Sequence, residues 1–400
     1  MADKRPNALI LLSFITLGSC LLACTPQEEA EPVDVLPFEP AGPDHAPSPI
    51  EMGPYPVGVQ TVAFEDPTRT TEGFEGPRQV ICEIWYPATD EARDATETYV
   101  MYDLLPPDLQ EQIPADALGS LTTNALRDAE PRVIGGTYPL VLFSHGKGGV
   151  RAQSTFFTVP LASHGYVVVA MDHEGDTIVD LLREGDVEID TTVFAFIDRP
   201  QDILFLIDEL TYWEHPLATI IDITRVGVSG HSFGALTSLR TAIMDTRIKA
   251  VVAHAPPGIG TVNIGLEESI SDIDTPIIIH GGKLDRTLPI EEHTDTIWPD
   301  LNPPSYYLTL ETAGHFTYSD LCIFDVEALD AAVDMDASNV LTDGCGEENL
   351  TPELGFDVIN HFSIGFFNAY LRDSPQSLSD LNQMAADALV GNEALLQIKE

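Results

Sequence analysis

Arg225-Val226-Gly227-Val228-Ser229-Gly230-His231-Ser232-Phe233-Gly234-Ala235-Leu236 is a short apolar run that passes through G-x-S-x-G. Leu236, Leu239 and Ile243 then recur at helical spacing, which predicts a strand, a sharp turn and an amphipathic helix. A serine hydroxyl becomes a useful nucleophile only when it is held clear of the sheet, beside a base and near donors for an oxyanion. A strand-to-helix turn at Ser232 meets that need. Gly230 and Gly234 flank it where side chains would collide between strand and helix, and the nucleophile position itself carries backbone strain.

Outward from that turn, buried-type apolar runs alternate with helical segments. Leu140 to Phe143, Tyr166 to Met171, Ile248 to His254, Thr275 to His280 and Tyr306 to Leu310 read as strands. Thr155 to Ser163 reads as a helix that Pro160 kinks or restarts. A further helix is expected from Asp198, with Pro200 in its first turn and Ile203, Leu206, Ile207 and Leu210 on one face. Continuous apolar strands separated by helices imply an α/β fold with a mostly parallel, doubly wound sheet covered on both faces.

In such sheets ligands gather at the carboxyl ends of the strands, so polar residues there need a reason. The run ending at His280 enters Gly281-Gly282-Lys283-Leu284-Asp285-Arg286, and the run ending at Leu310 enters Glu311-Thr312-Ala313-Gly314-His315. The chain order Ser232, Asp285, His315 supplies a nucleophile, an orienting carboxylate and a general base. His280 and His293 are weaker candidates for the base, one at the end of a buried strand and the other in an expected helix. Backbone N–H groups of Phe233 and of Lys147, in His145-Gly146-Lys147-Gly148-Gly149, are the expected oxyanion donors.

Phe143 to Arg151, Leu161 to Ala170 and Gly230 to Gly234, with Trp85-Tyr86-Pro87 and Arg199-Pro200-Gln201-Asp202, resemble a group of α/β-hydrolases. That group contains the platelet-activating factor acetylhydrolases and the predicted dienelactone-hydrolase-like esterases. The resemblance covers about residues 53 to 320 and implies a serine esterase with the triad Ser232, Asp285 and His315, acting on a small-molecule ester without metal or cofactor. Two positions depart from the group: true dienelactone hydrolases carry a cysteine nucleophile, and Ala235 stands where another glycine is common. An amidase or peptidase of the same fold is the rival among hydrolases. A catalytically silent envelope lipoprotein is the rival outside them, and a complete triad at strand ends argues against it.

The chain has 400 residues, 44% of them hydrophobic, with 64 acidic against 19 basic residues and a formal charge of −45. Such a surface repels nucleic acid and anionic head groups. Residues 1–23 read as a signal segment whose apolar run, Ala8 to Ala23, is too short to span a bilayer, closing in Leu21-Leu22-Ala23-Cys24. This resembles the lipobox of bacterial lipoproteins, with Cys24 acylated and Cys20 as a second match, and predicts a lipid-anchored protein of the cell envelope. Residues 24–52 form a Pro-rich acidic tether.

The hydrolase domain is expected over 53–372. Within it, Val57 to Phe64 and Gln79 to Pro87 form an antiparallel edge pair, and 88–137 forms an insertion in which Tyr102 to Leu105 and Leu109 to Ala125 are candidate helices. An acidic loop at 321–354 holds Cys322 and Cys345, whose positions towards its two ends predict a disulfide in an oxidising compartment. Asp334 to Ser338 fails the calcium-loop template at Asn339 and Cys345. Residues 373–400 are expected to be a loosely attached helical tail. The carboxylates near the site and the lack of a broad apolar lid favour soluble, short-acyl esters. Oligomeric state is not readable.

Overall fold

Ten strands pair into one sheet in the computed structural model, which describes residues 47–115, 119–134, 136–184, 191–258, 260, 268–323 and 343–400. The described residues fall in the unit Asp34–Glu400. The lipobox with Cys20 and Cys24, most of the expected tether and the calcium-loop candidate at 334–338 lie outside the described residues.

β1 (Val57–Asp66) and β2 (Arg78–Pro87) pair antiparallel, as their alternation predicts. β3 (Glu97–Val100) and β4 (Ser120–Thr123) form a separate small antiparallel pair, and β5 (Leu126–Arg127) lies parallel beside β1. The core strands are β6 (Tyr138–Ser144), β7 (Val167–Met171), β8 (Ile221–His231), β9 (Ile248–His254), β10 (Ile277–Gly282) and β11 (Ser305–Leu310), all parallel to their neighbours in that set. β12 (Ala394–Lys399) closes one edge antiparallel to β11. The sheet order is β12-β11-β10-β9-β8-β6-β7-β2-β1-β5. Chain order reverses at β6, which lies between β7 and β8, and a crevice at such a switch point is where a doubly wound sheet binds ligands.

Alternate residues of each strand face opposite cores, as the two-residue period of a strand dictates. Leu140, Leu142, Val167, Val169, Ile277 and Ile279 meet Ile203, Leu206, Ile207 and Leu239 from the helices Thr191–Tyr212 and Phe233–Met244. Val141, Phe143, Val168, Ala170, Val252 and Ile278 meet Phe157, Leu161, Phe362 and Phe366 from the helices Thr155–Ser163 and Pro352–Leu371. Both faces of the central strands are therefore covered, and the exposed strand residues gather mainly on the outer strands and at strand ends.

Four expectations need correction. The helix expected from Asp198 begins at Thr191, so Pro200 lies inside it. Proline removes the N–H that would bind the carbonyl four residues earlier. That carbonyl belongs to Phe196, and the Arg240 guanidinium donates to it instead, which lets the helix run on. The tail expected to be helical starts with two short helices, Pro375–Asp380 and Gln383–Val390, but ends as β12. Lys399 Nζ fixes its end by donating to the carbonyls of Trp298, Pro299 and Leu301. In the 88–137 insertion the first candidate helix is a 3-10 turn at Met101–Leu104, and the second is a single helical turn at Pro107–Gln110 followed by β4 rather than a helix running to Ala125. Its Leu105, Leu109 and Ile113 pack with Val179 and Leu182 of the helix Ile178–Glu184. Finally, His293 precedes the one-turn helix Thr294–Ile297 rather than lying within a helix.

Among the described residues, no helix is long and apolar enough to cross a membrane.

Candidate active site

β8 ends at His231 and the next helix begins at Phe233, so the chain turns within one residue. Ser232 takes φ 55° and ψ −121°, a left-handed region that costs an L-residue of order 1–3 kcal/mol. The surroundings hold it there: Ser232 N–H donates to His254 O at 2.9 Å, and the N–H groups of Ala235 and Leu236 donate to Ser232 O. The flanking glycines are obligatory. A Cβ on Gly234 would lie 1.9 Å from Ser144 O, and one on Gly230 would lie 2.4 Å from the Gly234 backbone.

The loops after β10 and β11 bring two more side chains to this turn. Ser232 Oγ stands 2.9 Å from His315 Nε2, and His315 Nδ1 stands 2.8 Å from Asp285 Oδ2. The second carboxylate oxygen of Asp285 accepts from Leu288 N–H at 2.6 Å, which fixes its orientation. His315 and Asp285 are buried, whereas Ser232 keeps partial access to solvent. The three side chains stand in the hydrogen-bond order that a nucleophile, a base and an orienting acid require. His280 lies off this chain, wholly buried on β10, and burial pushes its imidazole down to about 3.

The loop expected to supply an oxyanion donor passes beside the nucleophile. A Cβ added to Gly146 would come within 3.6 Å of Ser232 Cβ, which places the backbone entering Lys147 alongside Ser232. Phe233 N–H heads the helix that starts at the elbow, where backbone N–H groups favour negative charge.

What holds this loop is a buried polar network that sequence reading only partly found. Arg199 donates to His145 O and pairs with Asp176 at 3.1 Å, while Asp176 accepts from Gly148 N–H at 3.2 Å. Asp202 accepts from Arg78 twice at 2.6 Å, from Arg69 at 2.8 Å and from His173 Nδ1 at 2.8 Å. Burial alone would raise the Asp202 carboxyl, but Arg78 overrides it and holds the group well below the usual range. Burial pushes Arg199 down to about 10 and His173 down to about 3. His173 Nε2 is also 2.9 Å from Ser144 Oγ, so Ser144, His173 and Asp202 repeat the Ser-His-Asp geometry. All three are fully buried, so this second chain cannot meet a substrate and serves to anchor the strand end from which the loop departs. Arg199 and Asp202 were visible as a motif; the signals for Arg78 and His173 were absent, because each stands alone in its segment.

Gln153 and His231 were missed as well. Gln153 accepts from Gly146 N–H at 2.8 Å and donates to His231 Nδ1 at 2.9 Å, and His231 Nε2–H donates to His315 O at 3.0 Å. Burial and the neighbouring His315 hold His231 well below its ordinary range, so it remains neutral and fit to accept from Gln153. Cys322 and Cys345 are joined by a disulfide with their Cα atoms 5.0 Å apart, and Cys82 is a buried free thiol. Among the described residues, no group of three His, Cys, Asp or Glu side chains could hold a metal ion.

A doubly wound sheet with this arrangement at its carboxyl edge is the α/β-hydrolase fold. The chain matches the family model for platelet-activating factor acetylhydrolase, isoform II, over residues 43–180, and the PET hydrolase-like family over residues 130–322. It is 27% identical over 207 residues to cutinase est1 of Thermobifida alba, covering 50% of this chain and 62% of that protein. It is 27% identical over 172 residues to the platelet-activating factor acetylhydrolase of Bos taurus, covering 34% of this chain and 38% of that one. It thus spans less than two thirds of either relative. A solved ferulic acid esterase from Streptomyces cinnamoneus shares the fold, with a TM-score of 0.62, 22% identity and coverage of 86% of this chain and 96% of that one. The chain therefore has the α/β-hydrolase fold and is similar to proteins named as cutinase, platelet-activating factor acetylhydrolase and ferulic acid esterase.

Proposed function

We propose that this chain is a serine esterase that cleaves carboxylic esters through a covalent acyl-enzyme. The observation that carries the reading is the unbroken chain from Ser232 Oγ through His315 to Asp285, at 2.9 and 2.8 Å, on a strained elbow. His315 Nε2 takes the hydroxyl proton as Ser232 Oγ attacks the ester carbonyl, and Asp285 steadies the imidazolium that forms. The tetrahedral oxyanion is received by the N–H groups of Phe233 and Lys147. The imidazolium returns its proton to the departing alkoxide, which leaves as the alcohol. Water then repeats the sequence on the acyl-Ser232 ester and releases the acid.

The names of the matched relatives support ester substrates, and one of them is an acetylhydrolase. Soluble esters with short acyl chains are the substrate class we assign. We place the protein on the bacterial cell envelope, held by a lipid on Cys24, from the Leu21-Leu22-Ala23-Cys24 motif.

Ser232→Ala tests the core of the reading. Hydrolysis of p-nitrophenyl acetate should fall by on the order of 10⁶ in kcat, as triad deletions do, with the thermal unfolding curve retained. Covalent labelling by a fluorophosphonate that persists in this variant would remove Ser232 as the nucleophile.

A further inference from the structure

We propose that Asp343 is a positioning residue for the triad, clamping the loop that carries Asp285 to the loop that carries His315. This rests on the reading of Ser232, His315 and Asp285 as the reacting set. Asp343 Oδ1 accepts from Arg286 N–H at 2.9 Å and from His315 N–H at 3.0 Å. Its Oδ2 accepts from Thr287 N–H at 2.8 Å and from Thr287 Oγ1 at 2.5 Å. Arg286 and Thr287 directly follow the catalytic acid, so four donors from the two loops converge on one carboxylate that is 3% exposed.

The two loops are already joined near their bases, where Lys283 and Leu284 N–H donate to Leu310 O and Ala313 O. Asp343 makes the corresponding link at the tips, where the side chains react. Its backbone is equally bound to the histidine side: Asp343 O accepts from Phe316 N–H at 2.8 Å, and Gly344 O accepts from Thr317 Oγ1 at 3.3 Å. A Cβ on Gly314 would lie 2.4 Å from Asp343 C, so the two backbones touch there. Two residues further on, the Cys345–Cys322 disulfide ties the same segment to the chain that continues from His315.

A carboxylate suits this place for a reason of donor count. Both of its oxygens accept, and hydrogen bonds to an ionised acceptor are roughly twice as strong as neutral ones. An asparagine would turn an N–H₂ towards at least one of the four donors. Asp343 touches none of the reacting atoms, so its effect must pass through Asp285 and His315.

The test uses the full chain with Asp343→Asn and Asp343→Ala, alone and combined with Asp285→Ala. The readouts are p-nitrophenyl acetate hydrolysis and the rate of fluorophosphonate labelling. Displacing a catalytic pair by an ångström costs on the order of 100-fold, so kcat of Asp343→Ala should fall by about that factor with KM within about twofold. Asp343→Asn, which keeps the shape, should lose less. In the Asp285→Ala background the same Asp343→Ala change should slow labelling by no more than about threefold, because residues acting as one unit are not additive. An equal loss in both backgrounds would overturn the positioning role, as would a wild-type kcat in either single variant. If Asp343→Ala does not fold, Asp343→Asn decides alone. Ser232→Ala assayed beside them separates the two claims: an active Ser232→Ala sinks the triad, whereas an inactive one beside a fully active Asp343→Asn sinks only the clamp.

Discussion

At the scale of single residues, the groups whose chemistry is carried by a local pattern were readable, and those placed by distant contacts were not. Ser232 announces itself through Gly230 and Gly234, and Asp285 and His315 through their position just beyond apolar runs. Asp343, Gln153 and Asp320 carry no such signature, because their partners lie up to 165 positions away. Asp320 is the clearest case. Its carboxylate accepts from Thr155 N–H at 2.5 Å, Thr155 Oγ1 at 2.7 Å and Phe156 N–H at 3.1 Å, pinning the segment after His315 to the start of the helix Thr155–Ser163. Burial pushes this carboxyl from its ordinary 3.8 up to about 7, against the pull of those three donors. A folded-state value above the unfolded one means that the native protein binds the extra proton. The associated stability is full below about 4 and is lost as pH rises through about 7. Thermal midpoints of wild type and Asp320→Asn should therefore diverge across that window, the variant gaining relative to wild type as pH increases and the difference levelling above about 8. A difference that stays constant from pH 4 to 8 would contradict the assignment.

Among the elements, the strands were the most legible and the terminal and inserted pieces the least. β6 and β7 hold unbroken apolar runs of five or more residues because both sheet faces are covered there, and that composition stands whatever the strand's partners. The helix Thr191–Tyr212 was cut short because Pro200 reads as a start signal; only the Arg240 side chain, from the elbow helix, makes an interior proline tolerable there. β12 was lost because Leu395 and Leu396 also fit a helix, and the choice between them is made by the open edge of β11. The same logic explains the elbow helix. Its glycines fit against Ser144 O and His145 O, so the nucleophile turn and the oxyanion loop are packed as one unit and cannot drift apart. The network around Arg199 and Asp202 holds the other side of that loop, which makes a single rigid body of the β6 and β8 ends.

At the scale of the whole molecule, charge and the proposed lipid attachment bear on what reaches the site. Under the proposed lipid anchor, Cys24→Ala should move the protein from the membrane fraction to the soluble fraction of a bacterial expression host, since it removes the cysteine of the stronger leader motif. Retention in the membrane fraction would point to Cys20 or another attachment. A formal charge of −45 on 400 residues disfavours anionic substrates near the surface. Cys322 and Cys345 are joined, and Asp343 is seated between the loops that carry Asp285 and His315. The short-acyl reading expects a site that gives a long acyl chain little apolar surface to bury. Each methylene that does enter an apolar pocket is worth about 0.8 kcal/mol, or roughly fourfold in kcat/KM. An acyl tunnel would therefore announce itself as a steady multiplicative rise along a series of p-nitrophenyl esters, whereas a shallow site would stop gaining after the first few carbons. The expected profile from acetyl to palmitoyl has its maximum at the short end, with kcat/KM falling beyond butyryl and no activation by lipid droplets. A maximum at long chains would replace the short-acyl esterase with a lipase, leaving the triad itself untouched.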